Sequence, residues 1–210
     1  MRLLIVEDHP LILMGLKLLI RDLIPEVEIF QAQDYPEGLA IAGQEPVDVV
    51  ILDIDVPGGE DIRMMPAIRE KQPDVTIIIH TGFDEYLYAA TYLDAGADFF
   101  LSKRASSDQM KAVLSEILTL SKQERTARKV SAAAEMGNVM LAGDEDLLKL
   151  SPVEMRVTQL IVEGKWNKEI ASIMNLKGAT ISTYRKRIYD KLGVNDPIQL
   201  AKKISGNRTR

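Results

Sequence analysis

At 210 residues, with 46% apolar side chains and no cysteine, the chain can form one large or two small globular domains, and disulfides and thiolate metal sites are excluded. The absence of cysteine fits a reducing compartment, no apolar run reaches membrane-spanning length, and the opening MRLLIVEDHP turns acidic too soon for a secretory signal, so the expectation is a soluble, cytoplasmic protein with no membrane partner. The net charge of -5 hides an asymmetry, since residues 1–120 hold 9 Lys and Arg against 21 Asp and Glu (net -12) and residues 121–210 hold 17 against 10 (net +7). A split of that size points to two modules with different partners, the second facing a polyanion; the plainer alternative is two solvated surfaces of opposite sign.

In chain order, short apolar runs occur at 2–7 (RLLIVE), 27–32 (VEIFQA), 47–52 (VDVVIL), 75–80 (VTIIIH) and 98–102 (DFFLS). Amphipathic stretches near 10–22, 35–44, 60–71, 84–95 and 105–120 lie between and after them. Five strands alternating with five helices predict a parallel sheet covered on both faces. From 121 to 149 the chain is polar and alanine-rich and reads as a linker, with the preceding helix able to run on as far as Glu135. Four helices and no strand follow. Ser151, Pro152 and Glu154 form an N-cap, a first-turn proline and a capping-box acid. That helix should end near Gly164. Asn167 is expected to cap a second helix, 178–191 forms a third closed by Gly193, and Asp196-Pro197 opens a fourth.

Ligands of an open parallel sheet bind at the carboxyl ends of its strands, beside the point where strand order reverses. The first strand ends in Glu7-Asp8, the third in Asp53, the fourth in Thr81, and the fifth just before Lys103. Each alone has a dull explanation, such as a helix cap for the acids or a solvated surface lysine. Together they put three carboxylates, a hydroxyl and an ammonium on one edge. Carboxylates gathered in this way repel one another unless a hard cation lies between them, and an all-oxygen set suits Mg²⁺. A carboxylate beside Mg²⁺ and a lysine can accept a phosphoryl group, because both cations neutralise the transferring oxygens.

These landmarks, IVEDHP at 5–10, ILDIDVPGG at 51–59, HTG at 80–82 and GADFFLSK at 96–103, resemble the receiver domain of bacterial response regulators. The resemblance implies a flavodoxin-like (βα)5 fold that takes a phosphoryl group from a sensor histidine kinase onto one aspartate. It makes Asp53 the phospho-acceptor and Asp8 a direct Mg²⁺ ligand. Glu7 would act on the metal through water and Asp55 through its backbone carbonyl. Thr81 and Phe100 match the paired switch positions, and Lys103 the phosphate-binding lysine. Three positions depart from the family pattern: Val56 for a usual Met, Asp61 for a frequent Gly, and Gly82 for a small alanine. None removes a chemical group.

Asp53-Ile-Asp55-Val also fits the DxDx opening of haloacid-dehalogenase-like phosphatases, Mg²⁺ enzymes that also form an aspartyl-phosphate. That family places its further acidic ligands after the lysine, whereas here Glu7-Asp8 comes first, and the order disfavours the enzyme.

In the basic half, Ile170, Ala171, Ile173 and Met174, then Ile181, Ile188 and Leu192, give two consecutive helices an apolar face each, the second rich in Lys and Arg. A helix of this kind can enter a DNA major groove, although many basic helices are only solvated faces. The stretches LSPVEMRV, VEGKWNKEIA and ATISTYRKRIYDKLGV within 150–203 resemble the LuxR-type (NarL/FixJ) helix-turn-helix. The resemblance makes 178–191 the recognition helix. It implies DNA contacts from Lys168, Lys177, Ser182, Thr183, Arg185, Lys186 and Arg187. Trp166 stands where the family commonly has a small Ser or Thr, and Lys177 where a Ser or Thr usually caps the recognition helix.

The expected organisation is a receiver at 1–120, a linker at 121–149 and an all-α, four-helix LuxR-type domain at 150–210. The expected function is a phosphorylation-dependent transcriptional regulator, not an enzyme on a separate substrate, that binds double-stranded DNA and dimerises when phosphorylated. The alternative within the family is a regulator indifferent to phosphorylation.

Overall fold

The five apolar runs form one parallel sheet. Its strands are β1 (Arg2–Val6), β2 (Glu28–Ala32), β3 (Val49–Leu52), β4 (Thr76–Thr81) and β5 (Phe99–Ser102), in the spatial order β2-β1-β3-β4-β5. The computed structural model describes residues 1–59, 63–82, 92–93, 95–120, 124, 149–174 and 176–206. The expected helix at 84–95, apart from Tyr92 and Leu93, and nearly all of the 121–149 linker lie outside the described residues, as do Asp61 and the extension towards Glu135.

Strand position explains strand composition. β3 and β4 are covered on both faces and buried along their whole length, hence the apolar runs Val49–Leu52 and Ile77–Ile79. β2 is at the sheet edge and keeps exposed positions. On one face, α1 (Pro10–Leu23) and α4 (Ser107–Thr119) lay Leu13, Leu16, Ile20, Leu114, Ile117 and Leu118 against Leu3, Ile5, Val49, Ile51, Ile78 and Leu101. The opposite face carries α2 (Tyr35–Gln44) and α3 (Met64–Lys71). Helix α2 sits so close to β1 that a Cβ on Gly38 would lie 2.7 Å from a methyl of Val6.

Local signals fix the element ends. The Asp34 side chain accepts the Glu37 backbone N–H at 2.8 Å to start α2, and Ser106 and Gln109 close a capping box on α4. Buried Asp98 accepts both the Ile77 N–H and Arg69 Nη2 at 2.6 Å, which ties the start of β5 to β4 and α3.

The chain divides into two compact units, one holding the sheet and the other the carboxyl-terminal helices. The helices are α5 (Pro152–Val162), α6 (Asn167–Ile173), α7 (Gly178–Leu192) and α8 (Pro197–Gly206). They close around Val157, Ile170, Ile181, Ile188, Leu192 and Leu200, all nearly or fully buried. The Ser151–Glu154 capping box forms as expected, and Gly193 ends α7 in the left-handed conformation at φ 64°. Lys191 Nζ donates to Glu154 Oε2 at 2.6 Å and to the Lys149 carbonyl at 2.9 Å, joining α7 to the start of α5.

One expected cap is corrected. Trp166, not Asn167, is the N-cap of α6, and Asn167 is the first helical residue. Glu169 closes that helix start by accepting the Trp166 N–H at 2.7 Å. The Asn167 side chain points instead into the partner helix, where its Oδ1 accepts Arg185 Nη1 at 2.9 Å and its Nδ2 donates to Ser182 Oγ at 3.3 Å. An Asn that can bond a guanidinium across the turn has a charge-assisted alternative to capping.

Candidate functional site

The strand order reverses between β1 and β3, so the crevice of this sheet opens at their carboxyl ends. Backbone bonds hold these ends in step. Glu7 N–H donates to the Ala32 carbonyl at 3.0 Å, Asp53 N–H to Val6 at 2.9 Å, and Lys103 N–H to Thr81 at 2.8 Å.

Three strand ends thereby deliver a charged cluster. Lys103 Nζ lies 2.7 Å from Asp53 Oδ2, and 2.9 and 2.6 Å from Glu7 Oε1 and Oε2. Glu7 and Asp53 are 1% and 2% exposed, so one ammonium is shared between two buried carboxylates. Asp8 is more open, and its Oδ1 lies 2.7 Å from His9 Nδ1, which also approaches Glu7 Oε1 at 2.9 Å. The bond to Glu7 and then the charge of Asp8 raise the His9 pKa above its ordinary value, against burial and Lys103. Asp55 is exposed, and its backbone N–H donates to Asp53 Oδ1 at 3.1 Å, which fixes the carboxylate orientation. Thr81 is fully buried at the end of β4, and half-buried Phe100 on β5 pairs with Ile79 in register.

The dull explanation of Glu7-Asp8 as helix caps covers only part of the pair. His9 is the N-cap of α1 and its side chain makes no capping bond, while Glu7 Oε1 accepts the His9 backbone N–H at 3.1 Å. The cluster does fit a hard divalent cation. Glu7, Asp8, His9 and Asp53 each offer a ligand atom within 4.8 Å of the others, and the carboxylate oxygens outnumber the imidazole.

Sequence reasoning passed over the two histidines, the only ones in the chain. His9 directly follows the acidic pair, and His80 directly precedes Thr81; that adjacency was the available signal. His80 is 1% exposed, its Nδ1 is 3.9 Å from Glu7 Oε2, and burial, then Lys103, lowers its pKa to about 4.

The basic helix is built differently. On α7, Ser182, Thr183, Lys186 and Arg187 are exposed, as are Lys177 at its N-cap and Lys168 on α6. Lys177 supplies no capping bond, as expected from its side chain. The hydroxyls of Ser182 and Thr183 donate back to the carbonyls of Gly178 and Ala179, both at 3.1 Å. Arg185 is braced within the domain. Its Nε donates to the Tyr189 hydroxyl at 2.9 Å, its guanidinium stacks 5.4 Å from the Tyr189 ring, and Asn167 holds Nη1.

Comparison with known proteins accounts for both halves. The family model for the response regulator receiver domain matches residues 3–115, and that for the bacterial regulatory proteins of the luxR family matches 148–204. The chain belongs to the LuxR-type response regulators. The regulator is 30% identical over 195 residues to the DNA-binding transcriptional activator EvgA of Escherichia coli K12, covering 91% of each chain. It is 29% identical to the transcriptional regulatory protein LiaR of Bacillus subtilis, covering 95% of this chain and 94% of that one. It also resembles RcsB of Salmonella enterica serovar Typhimurium, solved on promoter P1flhDC with the phosphomimetic BeF3-, at 26% identity, TM-score 0.61 and 98% coverage of both chains. The family excludes the phosphatase reading of Asp53 and Asp55. This regulator joins a flavodoxin-like receiver to a helical DNA-binding domain. Among the described residues, no helix is long and apolar enough to cross a membrane.

Proposed function

We propose that Asp53 is the phospho-acceptor of a two-component pathway. What carries this reading is the pair of bonds that orient and neutralise its buried carboxylate, from Lys103 Nζ at 2.7 Å and the Asp55 N–H at 3.1 Å. One carboxylate oxygen of Asp53 attacks the phosphorus of a phosphohistidine on a sensor histidine kinase. The O–P bond forms as the N–P bond breaks, and the departing imidazole keeps the electron pair. Lys103 then follows charge onto the phosphoryl oxygens and leaves Glu7. Thr81 donates its hydroxyl to the phosphoryl group, and Phe100 turns inward with it. Asp8 and Asp53 would hold Mg²⁺ directly, with the Asp55 carbonyl and, through water, Glu7. The cation supplies charge neutralisation of the transferring oxygens. Hydrolysis of the acyl phosphate by water resets the protein.

The output is DNA binding. Helix α7 enters the major groove with Lys177, Ser182, Thr183, Arg185, Lys186 and Arg187 as its contact set, and Lys168 reaches a phosphate from α6. Phosphorylation favours a homodimer in the cytoplasm, and two copies address paired half-sites.

The test is incubation with Mg²⁺ and acetyl phosphate, followed by intact mass and oligomeric state, beside Asp53→Ala. Wild type should gain one phosphoryl mass and the variant none. Equal gain in both would refute the assignment.

A further inference from the structure

Trp166 is 79% exposed, and it is the only tryptophan of the chain. A lone exposed apolar residue means little. Three observations set this one apart. It lies in the sequence between exposed Lys165 and Lys168, so the same turn carries two cationic side chains. It is the N-cap of α6, at the turn before the helix-turn-helix begins. The next residue, Asn167, is bonded to Ser182 and Arg185, which places this turn alongside the exposed middle of the basic helix α7. The turn that carries the indole therefore adjoins the basic helix α7 rather than an unrelated part of the domain.

A duplex presents about one negative charge per 1.7 Å of axis, with deoxyribose rings between the phosphates. An indole suits that edge. It carries one N–H donor and no acceptor, so it can donate to a phosphate oxygen, while its apolar face packs on a sugar. A serine or threonine at this position would offer only the hydrogen bond.

We propose that Trp166 is an additional DNA contact, in which the indole packs on the deoxyribose–phosphate backbone flanking the groove entered by α7, with Lys165 and Lys168 pairing the adjacent phosphates. This rests on the DNA-binding reading of α7. It is a sequence-independent contact, so it adds affinity on every duplex and discriminates little between sites.

The single tryptophan makes the test specific to this residue. Full-length protein is titrated with a mixed-sequence duplex of about 30 base pairs at low salt, where nonspecific binding is strong. Binding is followed by anisotropy of a labelled duplex and, in parallel, by acrylamide quenching of the intrinsic fluorescence. At saturation the quenching constant should fall about twofold or more, and Trp166→Ala should weaken binding about three- to tenfold. The slope of log affinity against log salt should stay unchanged in Trp166→Ala and fall by about 1 in Lys168→Ala. Circular dichroism melting of both variants separates lost contact from lost fold. If the duplex binds while acrylamide access to the indole and the affinity of a folded Trp166→Ala are both unaltered, the contact is refuted, and the exposed indole serves a different partner. If no duplex binds even at low salt, the DNA-binding reading fails and this inference fails with it.

Discussion

Two lysine–carboxylate pairs of nearly identical geometry occur in the two units. In the receiver, Lys103 Nζ stands 2.6 Å from Glu7 Oε2; in the helical unit, Lys191 Nζ stands 2.6 Å from Glu154 Oε2. Distance and burial of the acid do not separate them, since Glu7 is 1% and Glu154 3% exposed. Stoichiometry does. Glu154 has one lysine of its own and also accepts the Ser151 N–H at 2.7 Å, so its charge is matched and its bonds serve a helix start. Lys103 is shared between Glu7 and Asp53, with Asp8 beside them, so carboxylates exceed cations. A matched pair is architecture; a group of carboxylates that outnumbers its cations fits a hard cation.

The strongest way to break that comparison is to remove each lysine with and without Mg²⁺. Lys103→Ala leaves Glu7 and Asp53 buried with no ammonium between them, and should cost about 3–5 kcal/mol in EDTA. Mg²⁺ should restore a large part of it. Lys191→Met should cost about 2 kcal/mol by removing the one cation paired with Glu154, with no recovery in Mg²⁺. Urea unfolding followed by circular dichroism measures both, and equal behaviour of the two variants towards Mg²⁺ would sink the distinction.

The next effect is a pH dependence that only the receiver should show. The His80 pKa is lowered from 6.5 to about 4 by burial and then by Lys103. Between those two values the unfolded chain binds a proton that the folded protein refuses. Stability therefore rises with pH across that window and is fully present above pH 6.5, a span of about 3 kcal/mol. His80→Leu should flatten the slope between pH 4 and 6.5, read as the difference between the two stability curves. An unchanged slope would mean that the folded protein protonates His80 without cost.

The smallest expected effect sharpens the other side. Lys177 leaves the start of α7 uncapped. Lys177→Ser should stabilise the helical unit by about 1 kcal/mol while lowering the salt slope of DNA binding by about 1. A gain in stability with no change in salt slope would remove Lys177 from the contact set.

The places where sequence reasoning fell short share a cause. Strand ends were legible because a buried strand must be apolar and a ligand-facing edge must be polar, so the transition itself marks Glu7, Asp53, Thr81 and Lys103. Asn167 was misplaced because capping is a local preference, worth about 1 kcal/mol, that a guanidinium on another helix can outbid. Arg185 and Lys186 are neighbours of identical charge in the sequence, yet one is braced by Asn167 and Tyr189 and the other is exposed. His80 drew no role from the sequence; its burial follows from its place in the covered strand β4, between β3 and β5.

The sequence by itself determined the alternation of strands and helices, the helix cap at Ser151, the charge division of the chain, and which residue types gather at the sheet edge. These follow from periodicity and short-range bonding, which act within a few residues. Tertiary structure alone decided which lysine is shared between two buried acids and which is matched to one, where Asn167 spends its side chain, and which histidine is kept neutral. Each of those outcomes depends on the partners brought within 3–4 Å by packing, and on how much water that packing leaves.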